Sequence, residues 1–318
     1  MSAVTAVDLA NSCRDIGDYD RAERVLRESL TFTASDPAPR ALVRNNLADL
    51  LREEGRWVEA EPLFRETLEN PVTLPRDRAG ALVGLADIDR QRGAWDSSIE
   101  RWNQALDIHR SQQDSKSEAI ALRGLAMTWL DSGSAARAEP LLKRSVQMME
   151  NLPDAPPEQL ASTLSSMGEL YRSENKFTLA ENEFSRALQI DRKQLGDSHP
   201  QVAWLMEMLA EVISARGDFT VARDYASRAT DAMCGVFGDD SMPAAVALAN
   251  RALVEERANH TEDAAHYYER AIGIARSHPA NRTLYATMLN RYAVFLKAIH
   301  RGREAKALVL EARSFQLR

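Results

Sequence analysis

The sequence predicts an all-α protein in which about eight pairs of helices stack into one solenoid. Three observations predict this fold: a composition that favours helices, a turn signal that recurs along the whole chain, and prolines that avoid the predicted helices. Hydrophobic residues make up 44% of the 318 residues and charged residues 27%, which is typical of a folded protein with a core. Only 14 glycines are present, and long runs of Val, Ile and Thr that would indicate strands are missing.

The turn signal combines a turn residue with a small residue five positions later, often with an aromatic residue between them. The eight turn residues are Gly17, Gly55, Gly93, Gly133, Asn175, Gly217, Asn259 and His300. They lie 38, 38, 40, 42, 42, 42 and 41 residues apart. Because a helix pair of this length buries too little surface alone, we predict that the pairs stack into a single domain over residues 1–318. The predicted repeats cover approximately residues 3–40, 41–78, 79–118, 119–160, 161–202, 203–244, 245–285 and 286–318.

Small residues recur on both sides of each predicted turn. Seven positions before the turn they are Ala10, Ala48, Ala86, Ala126, Gly168, Ala210, Ala252 and Ala293. Five positions after it they are Ala22, Ala60, Ser98, Ala138, Ala180, Ala222, Ala264 and Ala305. Two helices that cross closely need small side chains where their axes approach, so these positions predict the crossing point within each pair.

Proline positions give independent support, because proline is poorly tolerated inside a helix. Ten of the twelve prolines, Pro279 among them, fall in predicted loops between repeats. The other two, Pro62 and Pro140, occupy the same position in repeats two and four, which we place near the first turn of the second helix. Three loop prolines lie in segment 151–158, which is either a flexible domain boundary or an ordinary loop between repeats.

Two segments carry a more specific pattern. One runs from Asn45-Asn46-Leu47-Ala48 through Gly55 to Glu59-Ala60-Glu61-Pro62-Leu63, and the other is Leu195-Gly196-Asp197-Ser198-His199-Pro200-Gln201-Val202-Ala203. Together with the turns in phase, they resemble tetratricopeptide repeats (TPRs). Within that family they are similar to the repeats of about 42 residues found in kinesin light chains and their bacterial relatives.

The resemblance implies a right-handed superhelix in which the first helix of each pair lines a concave groove for an extended peptide. In kinesin light chains, asparagines at the position of Asn46 bind the peptide backbone. The residues at this position are Asp8, Asn46, Gly84, Gly124, Ser166, Met208, Asn250 and Arg291. Because only two of them are asparagines, the resemblance predicts the fold and the binding mode, but not the peptides that kinesin light chains bind.

Charged residues recur at two groove-facing positions of the first helices. Asn11, Asp49, Asp87, Glu169 and Glu211 share one position, and Arg14, Arg52, Arg90 and Arg172 lie three residues later. These charges either pair with one another along a helix face or recognise a ligand. Since a guanidinium suits a carboxylate, we expect Arg52 and Arg90 to bind an acidic group. The predicted groove residues are Asn11, Asn45, Asn46, Asp49, Arg52, Asp87, Arg90, Arg123, Glu169, Arg172, Trp204 and Asn250.

The tryptophans divide between core and groove. Trp57, Trp95, Trp102 and Trp129 occupy packing positions of the repeat, so we expect all four in the core. Trp204 lies at a position that faces the groove, where it either anchors a ligand or packs against the preceding loop.

Composition also argues against several classes of function. The formal charge of −7 predicts no attraction to nucleic acid or to an anionic membrane. The six histidines lack zinc-binding spacing, and no phosphate loop or nucleophile elbow is present, so we expect no catalysis, metal or cofactor. Cys13 and Cys234 are far apart, and no signal peptide or membrane span is recognisable, which predicts free thiols and a cytoplasmic protein.

The sequence therefore predicts a non-catalytic scaffold that binds a protein or peptide in the groove. The alternative is a regulatory or assembly module that self-associates through its ends, or that forms the sensor part of a larger signalling protein. This alternative rests on the segment 303–318, where apolar residues follow the last repeat without a further capping helix. These residues are Leu308, Val309, Leu310 and Phe315. The alternative function predicts homo-oligomers formed through the terminal repeats.

Overall fold

A computed structural model of the chain describes residues 2–15, 17–33, 36–278 and 281–316. Within these ranges it contains 16 α-helices and no strand, so the predicted all-α class and the eight helix pairs are confirmed. Pro279 and the side chain of Phe315, both used in the sequence predictions, lie outside the described residues.

The helices follow one another as eight pairs. The first helices are α1 (Ala3–Asp15), α3 (Pro37–Glu53), α5 (Pro75–Gln91), α7 (Ser115–Asp131), α9 (Pro157–Ser173), α11 (Pro200–Ala215), α13 (Met242–Arg257) and α15 (Arg282–Ala298). The second helices are α2 (Tyr19–Phe32), α4 (Trp57–Glu69), α6 (Trp95–Ser111), α8 (Ala135–Asn151), α10 (Phe177–Leu195), α12 (Phe219–Phe237), α14 (Thr261–Arg276) and α16 (Gly302–Gln316).

Each pair turns at the residue that the sequence predicted. All eight turn residues have a positive φ, from 57° at Asn175 to 91° at Gly217. Five are glycines, which adopt this conformation without a Cβ clash. The other three are Asn175, Asn259 and His300, and Asn and His enter the left-handed region more readily than most residues. A left-handed residue ends the first helix and directs the chain into the second.

The two helices of each pair cross at the predicted small residues. All sixteen positions are buried, and Ala305, at 6% exposure, is the most exposed of the alanines and the serine. Ser98 is the one polar member, and its hydroxyl donates a hydrogen bond to the Ala86 carbonyl across the pair at 2.8 Å. The buried hydroxyl is therefore satisfied, and serine fits the same space as alanine.

Contacts divide the chain into two compact units, Met1–Ala155 and Pro156–Arg318. The first unit contains α1–α8, and the second contains α9–α16. The division falls in the proline-containing segment 151–158. A single domain over residues 1–318 stays a prediction, and each unit is described by itself below.

Large side chains of the second helices fill the space between neighbouring pairs within each unit. In the first unit, Phe64 of α4 is fully buried and Trp102 of α6 is 2% exposed. In the second unit, Tyr268 of α14 is 1% exposed and stacks on Tyr292 of α15, with ring centroids 5.2 Å apart. Such burial contributes the main favourable term in folding, so each unit is held together by contacts between repeats.

Of the four tryptophans predicted in the core, Trp102 alone is fully buried. Trp57, Trp95 and Trp129 are half-buried. Trp57 and Trp95 are the first residues of α4 and α6, so no preceding turn of the same helix covers them. Trp129 packs against the core on one side and carries the guanidinium of Arg137 at 4.4 Å from its ring centroid. These three tryptophans therefore line the edge of the core.

Two proline predictions were wrong in position. Pro62 and Pro140 are the sixth residues of α4 and α8, one turn later than predicted. A proline there removes the hydrogen bond to the carbonyl four residues earlier, which in α4 belongs to Val58. Val58 is 81% exposed, so water can donate to that carbonyl instead.

Five prolines predicted in loops occupy the first or second position of first helices, which suits their fixed φ. They are Pro37, Pro75, Pro157, Pro200 and Pro243.

Two glycines of first helices let an aromatic ring of the preceding pair touch the backbone. A Cβ on Gly84 would lie 2.2 Å from the Phe64 ring, and one on Gly124 would lie 2.3 Å from the Trp102 ring. Gly84 and Gly124 share the repeat position of Asn46, which the family resemblance assigns to peptide binding. In these two repeats the position is occupied by packing.

Replacing Gly124 with alanine is expected to destabilise the protein, because the added methyl group overlaps the buried Trp102 ring. We expect the free energy of unfolding to fall by about 1–3 kcal/mol in urea denaturation followed by circular dichroism. Gly273→Ala in α14 is the matched control, since nothing lies within 4 Å of its Cβ. That change is expected to raise stability by up to about 1 kcal/mol through helix propensity. Equal effects at the two glycines would contradict this account.

Candidate functional site

In the first unit, arginines of one first helix pair with carboxylates of the next first helix. The Arg52 Nη1 atom of α3 lies 3.3 Å from Asp87 Oδ2 of α5. The Arg90 Nη1 atom of α5 lies 2.6 Å from Asp131 Oδ2 of α7. The Arg52–Asp87 pair is half-buried, so it is screened less than a fully exposed pair, whereas Asp131 of the second pair is exposed. We call this row of pairs the ion-pair ladder.

The ion-pair ladder has an equivalent at other repeats. The Arg14 Nη1 atom lies 3.6 Å from Glu53 Oε1 in the first unit. In the second unit, Arg172 Nη1 lies 3.2 Å from Glu211 Oε1. The sequence left internal pairing and ligand recognition open for these charges, and internal pairing is what the structure contains. The partners come from successive repeats rather than from one helix.

Each of the two arginines expected to bind an acidic group contacts two carboxylates. Besides Asp87, Arg52 donates from Nε to Asp49 Oδ1 of its own helix at 3.3 Å. Besides Asp131, Arg90 has its Nε 3.8 Å from Asp87 Oδ1. Burial raises the pKa of Asp49 to about 6, against the opposing effect of Arg52. Arg52 and Arg90 therefore hold neighbouring first helices together, and a ligand carboxylate would compete with these partners.

Arg123 of α7 differs from the other predicted arginines. It is half-buried, makes no ion pair with any described residue, and has a buried Nε atom without a hydrogen-bond partner there. Burial lowers the pKa of its guanidinium, and nearby Asp87 raises it while Arg90 lowers it. A buried guanidinium that lacks a carboxylate is costly unless another group supplies one. Arg123 therefore has free capacity for an anion, and unlike Arg52 and Arg90 it forms no ion pair with a described residue.

Two predicted asparagines of the first unit, Asn45 and Asn46, donate hydrogen bonds within the protein itself. Asn45 is buried, and its Nδ2 donates to the Asp77 carbonyl at 2.6 Å. Asn46 is half-buried and donates to the Leu42 carbonyl of its own helix at 2.9 Å. Asn11 of α1 is half-buried. The predicted contact between Asn46 and a peptide backbone stays a prediction, and the second N–H and the Oδ1 atom of the amide are the groups that could make it.

The first unit also contains a cavity of about 440 Å³. Asp49 of α3, Gly80 of α5 and His109 of α6 line it, together with Ile120 of α7. Burial lowers the pKa of His109, with Asp114 and Glu118 opposing the shift. Ile120, which lines the cavity, lies one helical turn before Arg123 on α7.

Two predicted residues of the second unit are partly used in packing. Trp204 of α11 is half-buried and makes an edge-to-face contact with the ring of Phe184 in α10, with centroids 6.3 Å apart. Of the two alternatives left open by the sequence, this contact favours packing, although against a second helix rather than a loop. Glu169 of α9 is half-buried and engaged in an interaction within the protein.

Glu207 of α11 was not among the predicted site residues. It is 7% exposed, and its Oε2 accepts a hydrogen bond from Asn250 Nδ2 of α13 at 2.8 Å. Its Oε1 has no hydrogen-bond partner in the part of the chain that the structure describes. Burial raises the pKa of Glu207 to about 7, with Asn250 opposing the shift. Asn250 also accepts a hydrogen bond from Arg291 Nη1 at 3.3 Å, so this predicted residue links a carboxyl group and a guanidinium.

A sequence signal for Glu207 exists. It is a single acidic residue inside the apolar run 202–210 of a first helix, and the repeat places it at the position of Asn45 and Arg123, ten residues before the turn. Other repeats carry residues such as Val7 and Ala249 there, which are buried. A charged residue at a mostly buried position is therefore the feature that identifies both Arg123 and Glu207.

One cluster has the residue types of a metal site. Ligand atoms of Glu255, His260 and Asp263 lie within 4.8 Å of one another. The guanidinium of Arg223 lies among them, with Nε 2.9 Å from Glu255 Oε2 and Nη2 3.8 Å from Asp263 Oδ2. Since a cation of the protein already balances these carboxylates, we interpret the cluster as an ion-pair network between α12, α13 and α14.

No helix in the described part of the chain combines the length and the apolar character that crossing a lipid bilayer requires.

Glu207→Gln is expected to stabilise the protein at pH 8 but not at pH 5. Folding raises the pKa of Glu207 from an ordinary 4.5 to about 7, so the folded protein binds this proton more tightly than the unfolded chain. Wild-type protein should therefore lose stability relative to the variant as pH rises from about 5 to about 7, by up to about 3 kcal/mol. Urea denaturation at both pH values measures the difference.

The exposed Glu262 of α14 provides the control, since Glu262→Gln removes the same charge from the surface. It should change stability little at either pH. A Glu207→Gln variant that is less stable than the wild type at pH 8 would contradict the expectation.

Comparisons with known proteins agree with the geometry of the repeats. Models of the tetratricopeptide repeat match residues 7–75, 77–151 and 159–235, which together make up more than half of the chain. No protein with a curated description matches the sequence.

Several solved structures share the fold. The apo form of the quorum sensor NprR from B. thuringiensis is 16% identical, with a TM-score of 0.75, and the match covers 99% of this chain and 87% of that one. A putative kinesin light chain from Podosopora anserina is 17% identical, with a TM-score of 0.56 and coverage of 63% and 96%. A Rap protein complexed with Competence and Sporulation Factor is 12% identical, with a TM-score of 0.64 and coverage of 99% and 97%.

Identities this low establish the likeness of fold alone. The matched repeat models, the eight turns in phase and the buried small residues lead to one conclusion: this chain belongs to the tetratricopeptide repeat family.

Proposed function

We propose that this protein is a non-catalytic scaffold that binds a peptide, or a segment of a partner protein, on the surface formed by its first helices. The observation that carries the proposal is Arg123, a half-buried guanidinium of that surface without a carboxylate partner among the described residues. Membership of a repeat family supports it. So do the fold neighbours, one of which is a quorum sensor and another of which was solved with a bound factor.

The chemistry of this surface favours an acidic group of the ligand. Arg123 can donate two hydrogen bonds to one carboxylate, and its burial strengthens a charge-assisted bond. Arg90 lies near enough to lower the pKa of Arg123, so a ligand carboxylate would also relieve the repulsion between two guanidinium groups. The neighbouring cavity of about 440 Å³ gives a second anchoring point for a ligand side chain.

Arg123 also gives a sharper test than the two arginines predicted first. Replacing Arg52 or Arg90 removes an ion pair between repeats, so a loss of binding would be mixed with a loss of packing. Arg123 holds no such pair, and its replacement leaves the ion-pair ladder intact.

Arg123→Gln is expected to weaken ligand binding by about 10- to 100-fold, the loss that accompanies removal of a hydrogen bond to a charged group. Peptides would be selected from a displayed random library on the wild-type protein and measured by fluorescence anisotropy. We expect them to be enriched in Asp, Glu or a required free carboxylate. Arg24→Gln on the exposed face of α2 is the matched control and should bind like the wild type. Selected peptides that bind the Arg123 variant unchanged would rule out this site.

A second candidate function is assembly through the ends of the chain, with a second copy as the partner. Val294 of α15 and Leu310 of α16 are 68% and 58% exposed at the C-terminal end. Val294 lines a cavity of about 450 Å³ together with Lys297 and Lys306. At the opposite terminus, Val4 of α1 is 59% exposed, and the sequence places an acidic residue one turn later. The C-terminal surface combines apolar residues with lysines, and the N-terminal surface combines an apolar residue with an acid. The two surfaces are therefore complementary in charge.

Val294→Glu is expected to abolish self-association, because it puts a charge into the apolar end surface. Multi-angle light scattering would show a mass that rises with concentration for the wild type and a constant monomer mass for the variant. A wild-type protein that stays monomeric at high concentration would eliminate this function.

A further inference from the structure

We propose that the second unit contains a binding pocket for a primary ammonium group, in which Glu207 is the carboxylate that holds the ammonium. This pocket lies on the first helices α11, α13 and α15. It is independent of the Arg123 site in the first unit, so either proposal can fail without affecting the other.

The pocket has the size of one small polar group. Its volume is about 30 Å³, which accommodates a single water-sized group. Glu207 lines it together with Met208 of the same helix and Asn250, Leu253 and Val254 of α13. An ammonium group at the end of an alkyl chain is of this size. The apolar lining suits the methylene groups that carry the ammonium.

The carboxyl group of Glu207 has the hydrogen-bonding capacity that an ammonium needs. One oxygen is held by Asn250 at 2.8 Å, which fixes the orientation of the group. The other oxygen has no partner in the described residues, and no cation of the described chain lies within 4 Å of either oxygen. A buried carboxylate without a counter-charge is costly. In the protein alone, binding of a proton near neutral pH offsets this cost.

Two guanidinium groups line the pocket, and neither lies within 4 Å of a Glu207 oxygen, although the buried Nε of Arg251 has no hydrogen-bond partner in the described residues. Arg291 of α15 is exposed and donates to Asn250 Oδ1 at 3.3 Å. Arg251 of α13 lies over the ring of Tyr267, 4.4 Å from its centroid. Neither guanidinium therefore neutralises Glu207.

The remaining elements add no free charge. On α11, the neighbouring Glu211 is paired with Arg172 of α9 at 3.2 Å. The second helix α12 contributes Ala226 to the lining. Glu207 is thus the one carboxylate of the pocket that is available to a ligand cation.

Ammonium binding must be linked to proton release from Glu207, because the ammonium and the proton compete for the same carboxylate. The ionised form predominates above about pH 7. We expect the affinity for an ammonium ligand to be about tenfold weaker at pH 6 than at pH 8. A neutral ligand that only fills the pocket would not show this dependence.

The test is a nuclear magnetic resonance titration of the 318-residue chain with carbon-13-labelled glutamate, in which Glu207→Gln identifies the Glu207 carboxyl signal. Methylammonium is the probe, and tetramethylammonium at equal concentration and ionic strength is the control, because it has the same charge but no hydrogen-bond donor. Methylammonium is expected to lower the apparent pKa of Glu207, and tetramethylammonium is expected to leave it unchanged. Glu262→Gln protein should behave like the wild type.

Two further probes separate the possible sources of the ammonium in a peptide. N-acetyl-lysine methylamide carries only the side-chain ammonium, and alanine methylamide carries only the terminal one. Because a terminal amine has a pKa near 8 and lysine one near 10.4, terminal recognition gives an affinity maximum between about pH 7 and 8, whereas lysine recognition reaches a plateau.

A fall in the Glu207 pKa with methylammonium and with one of the two amides would support the pocket and identify the source of the ammonium. Identical titrations with methylammonium and tetramethylammonium would overturn the proposal, since the carboxylate would then sense only ionic strength.

Discussion

The close crossing of the two helices in each pair is the constraint on which the rest of the structure depends. Alanine, glycine or serine at the crossing positions lets the helix axes approach, and all of these positions are buried. With the pair closed in this way, the large residues of the second helix point towards the next pair. Phe64 and Trp102 then pack on the backbone of Gly84 and Gly124, which fixes the position of each following pair. The small residues at the crossing within each pair therefore determine the contacts between repeats.

The same stacking brings the first helices of neighbouring pairs side by side. The contacts between polar residues of successive first helices follow from this arrangement. An arginine of one helix lies within reach of a carboxylate of the next, as between Arg90 and Asp131. Most charges on this surface are consequently used in holding repeats together. Arg123 and Glu207 are exceptions, because they occupy a mostly buried repeat position where no opposite charge of the described residues lies within 4 Å. Desolvated, unbalanced groups of this kind are where a ligand gains most from a charged contact.

The turns and the crossing residues could be predicted from the sequence because they depend on local chemistry. A left-handed residue such as Asn175 and a small residue such as Ala180 are required by the geometry of one helix pair, whatever surrounds it. Pro62 shows the limit of this reasoning, since it lies inside α4, next to a turn that contains the exposed Val58, rather than in the first turn.

The functional surface could be predicted only in part. The arginine and acidic positions were visible in the sequence, but the partners in each ion pair lie 35 to 41 residues apart. An analysis of one helix face considers only residues three or four positions apart, so it does not find these pairs. Aligning the repeats and comparing equivalent positions would have identified these pairs. Glu207 was missed because the resemblance directed attention to the position of Asn46, and because burial of a carboxyl group depends on helices that are distant in sequence.

The ion-pair ladder has a consequence for how such a chain can change its length. Each pair takes its arginine from one repeat and its acid from the following repeat, as with Arg52 and Asp87. When a whole repeat is duplicated, the new copy supplies an acid for the arginine of the preceding repeat. It also supplies an arginine for the acid of the following repeat. An array of this kind can gain or lose complete modules without leaving a charge unmatched, whereas loss of half a module leaves one charge of a pair without its partner. Leu130 occupies the arginine position of the fourth repeat and ends the row in the first unit.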